Sequence, residues 1–111
     1  MRPLPLAALL LPLLSCAAPA AQNYRGTLSG CGDPTAVLTI EAGRAAFAVN
    51  EGVLVLRGTS NPDTTFTATL NTAAQGKPPF VLKAEGKAAN GGAQVTYITP
   101  RCTAHGSLLA F

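Results

Sequence analysis

From Tyr24 onward, apolar and polar residues alternate with a period of two, in short segments separated by Gly, Asn, Asp and Pro. Thr65-Phe66-Thr67-Ala68-Thr69-Leu70 puts Phe66, Ala68 and Leu70 on one side and threonines on the other. Phe80 to Lys87 likewise sets Phe80, Leu82 and Ala84 against Lys83, Glu85 and Lys87. Successive strand side chains point to opposite faces, so this pattern predicts strands with one buried and one wet face. No helical periodicity competes with it. The pattern predicts eight strands, at about 24–31, 36–41, 44–49, 53–58, 64–71, 80–87, 93–99 and 102–110. In the fourth, Val53 to Leu56 is a continuous apolar run, so its inward face is not legible.

The breaks between segments are turn chemistry. Glu41-Ala42-Gly43-Arg44 and Asn50-Glu51-Gly52 place Gly where tight hairpins need a positive φ. Asn61-Pro62-Asp63 and Asn90-Gly91-Gly92 are turn signals of the same kind, and Gln75-Gly76-Lys77 with Pro78-Pro79 marks the longest irregular piece. The inward set expected is Tyr24, Leu28, Leu38, Ile40, Phe47, Val49, Phe66, Leu70, Phe80, Leu82, Val95, Tyr97 and Leu108. Gly26 and alanines 36, 45, 68, 84, 93 and 104 lie between them. Large and small residues in alternation fill a narrow barrel.

Eight strands joined by short turns predict an all-β fold, a small antiparallel up-and-down barrel or sandwich. If the sheet closes, strands one and eight are antiparallel neighbours, and the end of one lies beside the start of the other. Cys31 and Cys102 occupy those two positions. They are therefore expected to form a disulfide, worth at most roughly 4.4 kcal/mol for a loop of about 71 residues. A domain of this size buries only about 60–65% of its unfolded surface, so such a staple is useful.

The first 20 residues differ from the rest. Arg2 precedes an apolar run from Leu6 to Leu14 that is too short to span a membrane and is interrupted by Pro12. This is the pattern of a secretory signal, residues 1–20, followed by a short tether over 17–23 and a single β domain over 24–111. Ala18-Pro19-Ala20 offers an ordinary signal-peptidase site. Alternatively, Leu13-Leu14-Ser15-Cys16 resembles a bacterial lipobox, which implies cleavage before Cys16 and lipidation of that residue. Ala17 then stands where inner-membrane retention in enteric bacteria takes an aspartate, so the resemblance implies an outer-membrane anchor facing the periplasm. Without lipidation the expectation is a soluble secreted or periplasmic protein. Both routes leave Cys31 and Cys102 as the pair in the mature chain.

Beyond the leader, seven basic residues face five acidic ones. That balance keeps a surface soluble and provides no basic stripe for nucleic acid. His105 is the one histidine. It shares a strand face with Ser107, a weak nucleophile–base arrangement with no carboxylate to orient it. No carboxylate pair, metal-ligand cluster or phosphate-cradling glycine loop stands out, so no catalytic residue, cofactor or metal is assigned. Asp33-Pro34 and Pro100-Arg101 are expected on the stapled end, where Asp33 and Arg101 form a candidate binding rim. The Thr64, Thr65, Thr67, Thr69 run and the Lys83/Lys87 stripe read as solvated sheet surface.

In general architecture the chain resembles the small tethered lysozyme inhibitors of bacterial envelopes, which are short exported β-barrel domains, often lipoproteins with a cysteine bridge. Ser29-Gly30 matches the start of a Ser-Gly-x-x-Tyr motif, but no tyrosine follows up to Ala36. Tyr97 stands too far from Cys102 for a Tyr-x-Cys pattern. No functional residue is carried over. The expected role is non-catalytic binding or envelope structure, as a monomer contacting an envelope protein or polymer. The alternatives are a carrier of a small apolar ligand in a barrel cavity, and a hydrolase using His105.

Overall fold

The structure is a computed structural model and describes residues 21–72, 78–89 and 91–111. The predicted signal with Cys16, most of the tether, Gln75-Gly76-Lys77 and Asn90 lie outside the described residues. Eight antiparallel strands run in sequence order: β1 (Gln22–Thr27), β2 (Thr35–Glu41), β3 (Arg44–Val49), β4 (Leu54–Ser60), β5 (Thr65–Thr72), β6 (Phe80–Ala89), β7 (Gly92–Ile98) and β8 (Thr103–Ala110). Each pairs with the next, and β8 returns to β1, closing an up-and-down barrel. The barrel, and not the sandwich, is the architecture.

The interior is arranged in layers that the cross-strand register fixes. One layer runs Ile40, Ala45, Gly58, Ala68, Ala84, Tyr97, Ala104 through seven successive strands. Five of Tyr97's neighbours in this layer are Ala or Gly, so its ring has room inside the barrel. The next layer sets Tyr24, Leu38, Phe47 and Leu56 side by side. Phe47 and Tyr97 meet with ring centroids 5.9 Å apart and planes tilted by 43°, a favoured aromatic geometry. Leu38, Phe47, Val49, Leu56, Ala84, Ala104 and Leu108 are wholly buried, and no polar or charged residue is buried among the described residues.

Barrel closure rests on a seam between the terminal strands. Tyr24 pairs with Ala110, Arg25 with Leu109, and Ser29 forms an isolated bridge with His105 on the same register. Ser29 N–H donates to the His105 carbonyl at 2.7 Å, and His105 N–H returns to Ser29 at 3.0 Å. Between these points Leu108 faces Gly26 and Leu28 faces Gly106. A methyl group at Gly26 would stand 3.0 Å from Leu108 Cδ2, and one at Gly106 would stand 2.7 Å from Leu28 Cδ2. Each strand thus supplies one leucine and one glycine, and each leucine covers the facing glycine.

Most of the inward set is buried as the alternation implies. Phe80 is a correction: it is 44% exposed. It is the first residue of β6, opposite Thr72 at the mouth, on the inward side but beyond the last packed layer. Ile40 and Leu70 are only half-buried. Leu56 and Ala88 join the core. The first strand ends at Thr27, and Cys31 lies in the turn after it, not in the ladder.

Candidate functional site

Two loops meet at one end of the barrel, each held by its own hydrogen bonds. In the β1–β2 loop, Leu28 N–H donates to the Pro34 carbonyl at 2.9 Å, and Asp33 N–H to the Gly30 carbonyl at 3.0 Å. The Asp33 carboxylate accepts from Gly30 N–H at 3.0 Å. Gly30, Cys31, Gly32 and Asp33 all have positive φ, of 108°, 56°, 81° and 55°. Glycine adopts that region freely; Cys and Asp do so only where the surroundings hold them there. In the β7–β8 loop, Thr99 Oγ1 accepts from the backbone N–H groups of Arg101 and Cys102, at 3.1 and 3.0 Å. Thr99 N–H donates to the Cys102 carbonyl at 2.9 Å.

The Cys31–Cys102 disulfide joins the two loops, with Cα atoms 5.5 Å apart, within the usual range for this bond. Asp33 and Arg101 are exposed on either side of it. They are near neighbours of the bridge but form no ion pair with each other among the described residues. A third loop completes this end: Asn50 N–H, in the β3–β4 turn, donates to the Thr35 carbonyl at 3.0 Å. That turn presents Val53, 77% exposed. The start of β6 adds Phe80 and Val81, both exposed, with Pro78 and Pro79 before them. Among the described residues the rim therefore combines two acids, Asp33 and Glu51, one base, Arg101, and a set of exposed apolar side chains. Sequence reasoning had placed Asp33 and Arg101 there but had missed Val53, Phe80 and Val81. The parity of the loop-flanking residues against the strand ends was the available signal.

His105 lies on the outer wall, away from the rim loops' tips. A register row runs Glu41, Arg44, Thr59, Thr67, Glu85, Thr96, His105, Ser29 around the outside. His105 Nδ1 is 3.3 Å from Thr96 Oγ1, and Ser107 Oγ donates to Gln94 Oε1 at 3.0 Å. Histidine and serine each find a partner across β7, and no hydrogen bond joins them to each other among the described residues. Glu85 lies one strand beyond Thr96 and pairs with Lys83 at 3.1 Å.

Other polar groups are organised locally. At the opposite end, the Asp63 carboxylate accepts from the Thr65 hydroxyl at 2.6 Å and from Thr65 N–H at 3.1 Å. These bonds, with the Lys87 charge nearby, hold its carboxyl below the usual aspartate range. Burial pushes the Tyr97 hydroxyl above the usual phenol value. No cluster of His, Cys, Asp and Glu able to hold a metal occurs among the described residues. No helix there is long and apolar enough to cross a membrane. Grooves of about 880, 690 and 300 Å³ lie along the outer wall of β1–β3, beside the β2–β3 turn, and at the end where the terminal strands meet β6 and β7.

No family model, curated protein or solved structure matches this chain.

Proposed function

We propose that the chain is an exported, non-catalytic binding module that contacts an envelope protein or polymer through its disulfide-bearing rim. The observation that carries this reading is the composition of that one end. Three hydrogen-bonded loops, two of them covalently joined, present Asp33, Arg101 and Val53 to solvent, and the start of β6 adds Phe80. Rigid loops that expose apolar side chains beside isolated charges match the anatomy of protein-binding sites, where desolvated anchors are ringed by polar contacts. The disulfide suits an oxidising compartment. The leader supports export, and Cys16 is the residue on which a lipid anchor to the outer membrane would be built.

The carrier reading has less support, because Phe47, Phe66 and Tyr97 occupy the interior that a ligand would need. The hydrolase reading has less still, because His105 and Ser107 each hydrogen-bond elsewhere. The test is affinity capture from envelope extract with wild-type protein, an Asp33→Ala/Arg101→Ala variant, a Val53→Asp variant and His105→Ala. The rim variants are expected to lose the captured partner while His105→Ala keeps it. Equal capture by all four would refute the rim. Acyl labelling that disappears in Cys16→Ser supports the anchor, and an unlabelled wild type overturns it.

A further inference from the structure

The outer wall of the barrel is divided in two. From β5 to β7 its outward positions are mostly polar, with threonines, Lys83, Glu85, Lys87 and Gln94 in the middle of the strands, and the apolar exceptions Val81, Ala89 and Ile98 stand at the strand ends. From β8 through β1 to β4 one register row reads Leu109, Arg25, Val37, Ala48, Val55. Leu109 is 68% exposed, and Phe111, 60% exposed, stands beside it with the Arg25 guanidinium 4.6 Å from its ring centroid. The groove of about 880 Å³ runs along this wall, with Val37 and Ala48 in its floor. A soluble barrel has no internal use for apolar side chains on its outer face, and a contiguous patch of them marks an interaction surface.

The charges on this wall point to the occupant. Arg25 and Glu51 both border the groove, and neither takes part in an ion pair among the described residues. A self-complementary surface needs opposite charges displaced to either side of an apolar centre. A two-fold axis through the rim half of β2, near Thr35 and Val37 and so between Arg25 on β1 and Glu51 beyond β3, sets each Arg25 against the other copy's Glu51. The small side chains Ala46 and Ala48 allow the two sheets to approach face to face at about 10 Å. We infer that a second copy of this chain docks on the β1–β4 wall, forming a two-fold dimer with reciprocal Arg25–Glu51 pairs. This face meets the rim at Glu51, in the β3–β4 turn, but includes none of Asp33, Arg101, Val53 and Phe80, so the inference stands whether or not those residues bind a partner. It also departs from the monomer that the sequence alone suggests.

Four inter-strand spacings of about 4.8 Å and a strand length of about 20 Å give a flat footprint of roughly 400 Å² per copy. Counting both copies that is at most about 800 Å², below the roughly 1,000 Å² of a stable interface, so the dimer is expected to be weak and concentration-dependent. The test is sedimentation velocity of the processed protein over a range of concentrations. Wild type should pass from one-copy to two-copy mass. Arg25→Glu and Glu51→Arg should each move that transition at least roughly tenfold higher in concentration. Combining them should restore it, because the pairs are re-formed with reversed sign. Val37→Asp, at an outward position, should abolish the transition with an unchanged circular dichroism spectrum. One-copy mass up to roughly 1 mM overturns the inference. So does a ladder of larger masses, or a double variant no better than the single ones. One-copy mass together with flotation on lipid vesicles that Val37→Asp abolishes assigns the wall to a membrane surface, and likewise overturns it.

Discussion

Leu28 covers Gly106 across the closing seam, with Leu28 Cδ2 so placed that a methyl group at Gly106 would stand 2.7 Å from it and 3.1 Å from the Thr27 carbonyl oxygen. The leucine can shift, but the backbone oxygen can do so only by moving β1. Gly106→Ala is therefore expected to destabilise the barrel by about 1–3 kcal/mol, the usual range for overpacking. Urea unfolding monitored by tyrosine fluorescence measures it. An unchanged midpoint would show that the seam tolerates a wider strand spacing than its packing implies.

The disulfide closes a loop with a sequence separation of 71. Chain-entropy reasoning sets its contribution at no more than roughly 4.4 kcal/mol, and measured values usually fall near 2–4 kcal/mol. Cys31→Ser is expected to lower the thermal midpoint by more than about 10 °C, given about 4–8 °C per kcal/mol for a domain of this size. Calorimetry with and without reductant checks this. Free thiols in the native protein together with an unchanged midpoint would refute the bridge.

Asp63 should titrate below ordinary aspartates, and Thr65→Val should bring its carboxyl back toward the usual range by removing the hydroxyl donor. The sign for stability follows from the direction of the shift. A carboxyl whose folded value is lowered binds fewer protons in the native state, so its contribution is present above the unfolded value of 3.8 and lost as pH falls through the folded one. Carboxyl carbon shifts followed by NMR from neutral to acid pH test both statements. Superimposable Asp63 curves for wild type and variant would sink them.

Tyr97 gives the opposite edge of the pH range. Its hydroxyl is raised by burial from the ordinary value of 10.0. The unfolded chain therefore ionises first as pH rises above about 10, and stability declines from there until the folded value is reached. Tyr97→Phe should remove that tyrosine's share of the alkaline loss. Stability measured at neutral pH and near pH 11, in both proteins, gives the comparison. An identical alkaline decline in the variant would place its origin elsewhere.

The strand pattern was legible wherever the two faces differ in polarity. β5 and β6 carry threonine, lysine and glutamate outside, so Phe66, Ala68, Leu82 and Ala84 announced themselves as core. The cysteines were legible too, because closure of an even-stranded meander brings the ends of the first and last strands together. What stayed hidden is where both faces are apolar. In β3 the inward side of Ala45, Phe47 and Val49 was legible, but Ala46 and Ala48 carry no sign of what their outward side does. In β4 the run Leu54-Val55-Leu56 hid which residue is buried. The apolar outer wall and the missed core residue Leu56 have this single cause.

The turns show a second limit. Gly43 and Gly52 adopt positive φ as their type suggests, but Ala42, Asn50 and Glu51 do so as well. The hairpin geometry demands it of whatever residue is present, and Ala and Glu give no sequence signal of it. At the rim the same is true of Cys31. Its left-handed backbone is a consequence of how the loop must meet Cys102, which the spacing of the cysteines does not reveal.

Because the seam joins β1 to β8, the barrel cannot close until β8 is present. As the polypeptide emerges, hairpins such as β2–β3 and β5–β6 have their partners within a few residues, but the free side of β1 waits for residues 103–110. Non-local pairing of this kind is slow, and it leaves open strand edges exposed while it is pending. Joining Cys31 to Cys102, with an external disulfide oxidant taking up the two electrons and two protons, belongs to the same last step. Truncation before β8, or its delayed release, would therefore not yield a slightly weakened barrel. It would yield an open sheet with two unpaired edges and an unbridged thiol, a species suited to aggregation or strand exchange.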